Sequence, residues 1–354
     1  MKVLFVGLGG AGQRLLRVFH KVTSGQTRNL AYRTLARAGV ITPAFQWDQS
    51  GSLENQYGLT TFPSLDAALQ ENPDCAVIAN PTSMHIETAL TVTRAGCPFL
   101  MEKPLGHDWE GVDTLIELTR EKKLVSMVGF QTRFHPCLRW LKDQLQKGRL
   151  GRIMGVWVKT ASFLPDWHPY ENFRELYAAQ RELGGGVILT ESHELDYLIW
   201  LLGMPRTVFA AGGNLGPFKL DVEDTVNLSL VFESNSSDIP VQMQLSFMEK
   251  PICRLLEIYT EKGRIRWDSN SWDRIILQTS PTGEIEEISF PGWDRNRLFE
   301  EEVKYFINCL REKVQSVPNV EEAAQGLKVM LACQRSLKTG QSIKVDEFQL
   351  ERVT

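Results

Sequence analysis

The stretch VLFVGLGGAG, Val3–Gly12, decides the fold of this chain. Its first four residues are all apolar, and three of them are β-branched or aromatic, so they are expected to form a buried strand. They lead directly into glycines with the spacing GxGxxG, and the next residues, Ala11–Val22, place apolar side chains at helical spacing. A strand, a glycine turn and a helix in this order put the free amides of a helix start where they can hold phosphate groups.

Each glycine of the motif has its own use. Gly7 permits the tight turn, Gly9 lets the backbone approach a pyrophosphate, and Gly12 lets the helix pack on the strand. We therefore predict a dinucleotide-binding loop, although a glycine-rich turn without a ligand remains the alternative from these residues alone. The residues expected to line the dinucleotide here are Gly7, Gly9, Gly10, Ala11 and Gly12.

The composition is that of a globular protein large enough for two domains. Of its 354 residues, 43% are hydrophobic and 23% are charged. A net charge of -4 with scattered Lys and Arg argues against nucleic acid as a partner. Six cysteines without a CxxC pair indicate neither a metal site nor a disulfide framework. Because no signal peptide and no run of eighteen apolar residues is present, we expect a cytoplasmic protein without a membrane partner.

The pattern of strands changes along the chain. The short apolar runs Cys75–Ala79, Pro98–Met101 and Lys123–Phe130 alternate with amphipathic segments, as a parallel sheet covered by helices requires. Later runs are longer and alternate apolar with polar residues, which is typical of an antiparallel sheet. We therefore predict an α/β protein with a dinucleotide-binding domain over residues 1–125 and an α/β domain with an open, mostly antiparallel sheet over residues 126–354.

One face of this second sheet is polar but uncharged. In TVNLSLVFE, Val226, Leu228 and Leu230 alternate with Asn227 and Ser229. The polar face is either plain solvent surface or the wall of an interface between subunits.

An arginine follows the predicted second strand. A fold of this kind that prefers NAD places an acid there to bind the ribose diol. Here the strand Leu30–Tyr32 is followed by Arg33, with Arg37 close by. An arginine suits a 2'-phosphate, so NADP is slightly favoured over NAD, and the alternative for Arg33 is a solvated surface residue.

Two further strands run out into polar loops. NPTSMH, Asn80–His85, and MEKPLG, Met101–Gly106, each follow a strand at the carboxyl edge of the parallel sheet, where such sheets bind ligands. Pro104 disfavours a helical conformation at Lys103, so the lysine side chain is expected to extend into the cleft.

Taken in order, GxGxxG, NPTSMH, EKP, VGFQTRFHP and GGGVILTESHELDYLIWLLG resemble the Gfo/Idh/MocA family of NAD(P)-dependent sugar and polyol oxidoreductases. The resemblance implies a Rossmann domain, a second α/β domain, and an active site between them. It implies that Lys103 is the active-site lysine, and that homodimers or homotetramers form through the open sheet. It adds these residues to those expected at the cofactor: Asn80, Pro81, His85, Glu102 and Lys103.

His193 is the expected partner of the lysine. It falls in the first turn of a helix that Ser192 or Thr190 can cap and that Gly203 ends. A helix N-terminus disfavours imidazolium, so His193 should stay neutral and able to accept a proton, although a structural role is the alternative. Many family members carry an aspartate where Leu189 stands, so that residue cannot be carried over. The form TESHELD resembles a subgroup associated with bacterial cell-surface sugar pathways.

Aromatic residues precede the glycines of this segment. Their rings can stack on the apolar face of a sugar, and their polar neighbours can bind its hydroxyl groups. A packed surface loop is the alternative, and Arg133 either binds substrate or ties the domains together. The expected substrate-binding residues are Lys103, Arg133, Trp167, His168, Tyr170, Tyr177 and His193.

These residues predict hydride transfer between a nicotinamide cofactor and a secondary hydroxyl or ketone of a sugar, sugar derivative or nucleotide sugar. Lys103 and His193 would act on the oxygen and its proton. Two alternatives remain: a glycosidase or lyase that uses transient oxidation by tightly bound NAD, and a non-enzymatic dinucleotide-binding sensor. The presence of both Lys103 and His193 argues against the sensor.

Overall fold

A six-stranded parallel sheet forms the first part of the protein in the computed structural model, which describes residues 1–33, 39–42, 46–233 and 237–350. The strands in spatial order are β5 (Leu59–Phe62), β2 (Arg28–Tyr32), β1 (Lys2–Val6), β6 (Cys75–Ile78), β7 (Phe99–Glu102) and β8 (Ser126–Gly129). A small ribbon pairs β3 (Val40–Ile41) with β4 (Trp47–Asp48). The helices are α1 (Gly10–Val22), α2 (Leu53–Tyr57), α3 (Leu65–Leu69), α4 (His85–Arg94) and α5 (Val112–Glu121).

The strand order reverses at β1, and this reversal creates the ligand-binding crevice. The next strand in the chain, β2, lies on one side of β1, and β6 lies on the other side. Adjacent loops in such a sheet leave in opposite directions at this point, opening a crevice outside the carboxyl ends of the strands. All four residues of β6 are buried, which explains their continuous apolar run. The predicted Rossmann domain is confirmed.

A nine-stranded sheet forms the second part. In spatial order its strands are β16 (Ile285–Ser289), β15 (Arg274–Thr279), β14 (Gly263–Asp268), β13 (Met248–Thr260), β9 (Ile153–Phe163), β12 (Ile239–Ser246), β11 (Thr225–Phe232), β10 (Pro205–Gly213) and β17 (Ile343–Lys344). The accompanying helices are α6 (Pro136–Gln146), α7 (Val187–Thr190), α8 (His193–Leu202), α9 (Arg295–Glu312) and α10 (Val320–Thr339). Only β9 and β12 pair in parallel among these described strands, so the mostly antiparallel sheet is confirmed.

The two faces of this sheet differ as the alternation predicts. Val226, Leu228 and Leu230 are buried, whereas Asn227 is exposed. On the outer face Phe209 and Trp157 are 39% and 57% exposed. Register aligns these two rings across four strands, because Phe209 lies opposite Ser229, Ser229 opposite Gln242, and Gln242 opposite Trp157. That a second copy of the chain covers this face stays a prediction.

The two parts of the chain are joined by shared packing. Phe299, Val303 and Phe306 of α9 are buried in one cluster with Phe5 of β1 and Leu15 of α1. The boundary between residues 125 and 126 stays a prediction, and β8, which lies just beyond it, is the last strand of the parallel sheet. None of the helices in the described part of the chain has the length and apolar character that a membrane crossing requires.

Arg133 forms a buried bridge between the two parts. Its guanidinium donates to both carboxylate oxygens of Asp196 on α8, at 2.8 and 2.7 Å, and to Glu322 on α10 at 2.8 Å. Arg133 is 4% exposed and Asp196 is 3% exposed. These bonds use three of the five N–H donors and all three nitrogens of a buried guanidinium, which favours the domain tie over the expected role in substrate binding.

Replacing Arg133 with alanine should destabilise the fold by about 3–5 kcal/mol, because the carboxylate of Asp196 would remain buried without a partner. The matched control is Arg120→Ala, which removes an ion pair to Glu321 whose side chains are 66% and 58% exposed. That loss should cost under about 1 kcal/mol. Urea unfolding of both variants measures the difference, and equal midpoints would contradict the anchoring role of Arg133.

Candidate active site

The glycine loop is shaped by its neighbours and open at its centre. Gly7 has φ 87°, and a Cβ there would lie 2.7 Å from the carbonyl oxygen of Ala79. A Cβ on Gly12 would lie 2.1 Å from the carbonyl oxygen of Gly7, so both positions require glycine. Nothing lies within 4 Å of a Cβ built on Gly9. Gly9 also precedes α1 without a side-chain cap, which leaves helix-start amides for a ligand's phosphates.

The loop after β6 is held to the lysine loop by His85. Its ring nitrogens lie 2.8 Å from the carbonyl oxygen of Pro104 and 3.0 Å from that of Asn80. Burial lowers the pKa of His85 to about 4, although the contacts with both carbonyls act to raise it. The ring is therefore neutral and donates to one of the two carbonyls. His85 is 1% exposed, and its two contacts hold the predicted cofactor loop in place. The Asn80 amide in turn donates to Thr88 at 2.8 Å.

Lys103 crosses from the first sheet to the second part of the chain. It follows Glu102, the last residue of β7, and its Nζ donates to the carbonyl oxygen of Thr190 at 2.6 Å. Thr190 ends α7 and stands three residues before His193. Burial raises the pKa of the Glu102 carboxyl, while Lys103 and Arg14 act in the opposite direction. The structure thus brings the two predicted catalytic residues to the same edge of the parallel sheet.

His193 is buried at the first residue of α8. Its Nε2 lies 3.2 Å from the amide nitrogen of Gln131, and its ring meets the edge of Phe130 at 5.9 Å between centroids. Burial, followed by the positive charges of Lys103, Arg254 and Arg295, keeps the pKa of His193 well below its usual value. The predicted neutral imidazole therefore has a cause beyond the helix N-terminus.

The expected cap of this helix is wrong. Ser192 occupies the N-cap position but has helical backbone angles and makes no side-chain capping bond. Thr190 belongs to the preceding short helix α7, so the chain enters α8 already turning. The predicted end at Gly203 is confirmed, with φ 90° at that glycine.

Gln131 and Arg254 are site residues that sequence reasoning missed. Gln131 stands two residues before Arg133 in the VGFQTRFHP motif. Its position within a motif that carries the family resemblance was the signal that could have identified it as a site residue. Arg254 lies within β13, where nothing distinguishes it from a surface residue of a strand. Its guanidinium pairs with Glu191 at 3.3 Å and Glu194 at 3.0 Å, which places an ion-pair cluster around His193.

Leu189, at the position of the family's aspartate, is 2% exposed and packs in the core. Glu191, the nearest acid, belongs to the ion-pair cluster of Arg254 near His193, and its carboxylate also accepts from Ser162 at 3.5 Å. It does not replace the aspartate as a partner of His193, since Gln131 holds that ring.

The three consecutive glycines allow close approach to protein groups. A Cβ on Gly184 would lie 2.9 Å from the side chains of both His107 and Thr82. A Cβ on Gly186 would lie 2.4 Å from a carboxylate oxygen of Glu223, which accepts from the amide of Ile188 at 3.2 Å. Because they have no Cβ, the glycines allow the chain to pack closely on the loop after β6 and to begin α7 after Gly186.

Trp167 and Tyr177 are packed into the protein. The indole of Trp167 donates to Ser162 at 3.0 Å and meets the edge of Phe247 at 5.4 Å between centroids. Tyr177 is partly buried against the main apolar core. These contacts favour the packed-loop alternative over direct substrate binding for both residues.

His168 and Tyr170 lie somewhere unexpected. Their rings stack at 5.3 Å, and Tyr170 stacks in turn on Trp47 at 6.1 Å. A Cβ built on Gly10 would lie 3.4 Å from the Tyr170 hydroxyl and 3.6 Å from the His168 ring. Both rings thus lie against the first residue of α1 in the predicted dinucleotide loop, a position that sequence reasoning did not foresee, and their binding of substrate stays a prediction.

Arg33 is held by an acid. Its guanidinium forms an ion pair with Glu54 of α2, and its side chain is 16% exposed. It is therefore not a solvated surface arginine, while Arg37 lies outside the described residues. Within the described ranges, no group of three His, Cys, Asp or Glu side chains is placed to hold a metal ion.

Comparison with known proteins identifies both parts of the chain. Residues 1–130 match the sequence model of an oxidoreductase family with an NAD-binding Rossmann fold, and residues 138–266 match the GFO/IDH/MocA C-terminal domain. The inositol 2-dehydrogenase of Rhizobium meliloti is 23% identical over 96% of this chain and 98% of its own length.

Solved structures share the fold. Levoglucosan dehydrogenase in complex with NADH superposes with a TM-score of 0.83 at 17% identity, covering 98% of this chain and 99% of the other. The WlbA dehydrogenase from Bordetella pertussis, in complex with NADH and UDP-GlcNAcA, superposes with a TM-score of 0.78 at 23% identity, covering 97% of each chain.

Replacing Tyr170 with alanine should weaken dinucleotide binding about fivefold, the effect of losing roughly 1 kcal/mol of ring contact at the loop. Tyr259→Ala, at a partly exposed tyrosine on β13, is the control and should leave that affinity unchanged. Fluorescence titration with the dinucleotide measures both variants. An unchanged dissociation constant for Tyr170→Ala would show that the ring contributes nothing to the cofactor site.

Proposed function

The chain belongs to the Gfo/Idh/MocA family of oxidoreductases, and we propose that it transfers a hydride between a nicotinamide dinucleotide and a secondary hydroxyl or ketone of a sugar or sugar derivative. One observation carries this proposal. Lys103 from the carboxyl end of β7 bonds to the backbone three residues before His193, beside a loop built for a pyrophosphate. This hydrogen bond supports the proposal that the amine of Lys103 and the neutral imidazole of His193 act together at the edge where a sheet of this type binds its ligands.

In this proposal the substrate hydroxyl lies between Lys103 and His193. The lysine orients the oxygen and stabilises the negative charge that develops on it. His193 accepts the hydroxyl proton during oxidation and returns it during reduction. The dinucleotide supplies the hydride chemistry, while the protein supplies placement and charge.

The surroundings of His193 suit this role. Burial, followed by the charges of Lys103, Arg254 and Arg295, lowers the pKa of His193, so the ring is unprotonated before the reaction but is a weaker base than a free imidazole. The same positive charges make the protonated ring unfavourable, so the proton is readily passed on. The Gln131 amide donates to Nε2 at 3.2 Å and orients the ring, and the substrate hydroxyl would replace it as the donor to Nε2 before the proton is transferred, which makes Gln131 a positioning residue in this scheme.

Replacing Lys103 with alanine should abolish turnover, a fall in kcat of at least about a hundredfold, because charge on the reacting oxygen would no longer be stabilised. Dinucleotide affinity should stay nearly unchanged, since the phosphates are held at the glycine loop. Steady-state kinetics and fluorescence titration give the two values. The control is Lys122→Ala, at the exposed end of α5, and turnover retained in Lys103→Ala would end this assignment.

We further infer a preference for NADP over NAD from Arg33. Its guanidinium follows the end of β2, the position at which this fold meets the adenosine ribose. The ion pair with Glu54 holds the side chain in place instead of leaving it in solvent. A 2'-phosphate offers oxygens that a guanidinium binds strongly, in competition with or alongside that acid.

Arg33→Ala should lower NADP(H) affinity about ten- to a hundredfold, as expected for a lost charged hydrogen bond, and leave NAD(H) affinity unchanged. Arg28→Ala, at the other end of the same strand and paired with Glu71, is the control. Calorimetry with each dinucleotide measures both. Equal losses for the two dinucleotides would contradict the assignment, and NAD that co-purifies and is never consumed would instead favour the glycosidase or lyase alternative.

A further inference from the structure

One half of the Gln131 amide has a protein partner, and the other half has none. Its nitrogen lies 3.2 Å from Nε2 of His193. Its oxygen Oε1 is buried and makes no hydrogen bond within the part of the chain that the structure describes. The residue as a whole is 6% exposed. Because buried polar groups in folded proteins nearly always have a hydrogen-bond partner, this oxygen indicates a donor that comes from outside the chain.

The ends of two neighbouring strands place Gln131 beside the reacting groups. Glu102, the last residue of β7, pairs with Gly129, the last residue of β8. Lys103 directly follows the first of these, and Gln131 opens a short helical turn two residues after the second. Both residues therefore leave adjacent parallel strands at their carboxyl ends, where such a sheet binds ligands. The backbone and the contact with His193 thus both place the Gln131 amide at the cleft.

The segment that meets Lys103 carries further polar atoms without partners. Thr190 accepts from Lys103 through its backbone carbonyl at 2.6 Å, but its buried Oγ1 makes no hydrogen bond among the described residues. The same holds for Oγ of Ser192, and the two residues are 3% and 0% exposed. Several unpartnered polar atoms in one part of the fold favour a ligand with more than one hydroxyl group.

We propose that Gln131 is a specificity-determining residue, whose Oε1 accepts a hydrogen bond from a hydroxyl on the carbon next to the reacting carbon. This inference rests on the proposed function, in which the reacting hydroxyl donates to Nε2 of His193. That hydroxyl replaces the Gln131 nitrogen as the donor, and the amide stays beside it with a carbonyl that can accept. The substrate class is then a vicinal diol, or the α-hydroxy ketone in the direction of reduction.

The spacing of the groups fits two neighbouring hydroxyls. The nitrogen and oxygen of an amide share one carbon, so Oε1 of Gln131 lies within about two hydrogen-bond lengths of Nε2 of His193. The two oxygens of a vicinal diol lie about one hydrogen-bond length apart, so one can reach the ring nitrogen while the other reaches Oε1. A substrate with a single hydroxyl would leave the buried carbonyl without a partner, which costs affinity.

The carboxamide of the nicotinamide ring is the other source of a donor for Oε1. Two observations favour the substrate. The same amide contacts the ring nitrogen of His193 that takes the substrate proton in the proposed reaction. In the order of the parallel sheet, β6 and β7 lie between β1, which leads to the dinucleotide loop, and β8, which leads to Gln131.

The test compares the vicinal trans-cyclohexanediol with cyclohexanol, each titrated calorimetrically into the full-length protein saturated with NADH. The diol should bind at least about tenfold more tightly, because only the diol gives the buried carbonyl a partner. Gln131→Met, which removes both amide groups at similar length, should bring this ratio close to one. Gln131→Glu keeps an acceptor oxygen and should retain part of the preference. The control is Gln144→Met, at a buried glutamine of α6 whose amide is held by Asp143 and Arg149, and it should keep the full ratio.

Each other outcome overturns the inference. Equal affinity of the wild type for both compounds, or binding of neither, removes the diol as the recognised group. An unchanged ratio in Gln131→Met removes Gln131 from recognition, and weaker NADH binding by the same variant then reassigns Oε1 to the cofactor. Equal loss of the preference in Gln131→Met and Gln131→Glu assigns the effect to the orientation of His193.

The ratio of two affinities separates this inference from the proposed function. A purely structural role of Gln131 would weaken binding of both compounds equally and leave the ratio unchanged. Oxidation of sugars by the wild type is measured separately by NADH formation. Hydride transfer from compounds with a single hydroxyl as fast as from vicinal diols would keep the proposed function and overturn this inference alone.

Discussion

The bidentate bond from Arg133 to Asp196 sets the register of the candidate site. Arg133 stands two residues after Gln131, and Asp196 stands one helical turn after His193. Fixing these two partners therefore brings the Gln131 amide to the His193 ring at 3.2 Å. Because both members of the pair are nearly fully buried, small shifts would expose charges to an apolar interior, and the geometry is strongly constrained. The same arginine reaches α10 through Glu322, so one guanidinium aligns three elements.

Several positively charged side chains act on the buried ring of His193 in the candidate site. Burial of the His193 ring, followed by the positive charges of Lys103, Arg254 and Arg295, lowers the pKa of His193. The imidazole consequently stays neutral, and a developing alkoxide meets a positive environment. Glu191 and Glu194 offset Arg254, which leaves the positive field to Lys103 and Arg295. In the proposed reaction, these groups are already in place before binding and would stabilise negative charge on the substrate.

The segment that carries His168 and Tyr170 links the two halves of the site. It leaves β9 in the second sheet, passes over Gly10, and returns to the glycines that contact Thr82. A dinucleotide at the loop and a sugar at His193 would both adjoin this one segment. Its packing through Trp47, Trp167 and Phe247 gives it a defined position instead of a loose covering.

Local patterns determined much of this protein from the sequence. The GxGxxG turn, the buried runs of the parallel strands and the alternating outer sheet depend on neighbouring residues only, so the two fold types and the positions of Lys103 and His193 could be predicted. Contacts between distant residues were decided by the tertiary structure. Gln131 reaches His193 across 62 positions, and Tyr170 reaches Gly10 from the other sheet. The cap expected at Ser192 was wrong, because Ser192 follows closely on α7 and has helical backbone angles. Arg254 and Arg295 look like ordinary surface charges in a strand and at a helix start. Only folding buries the His193 ring and brings these charges near it, and the desolvation of that ring has no local signal in the sequence.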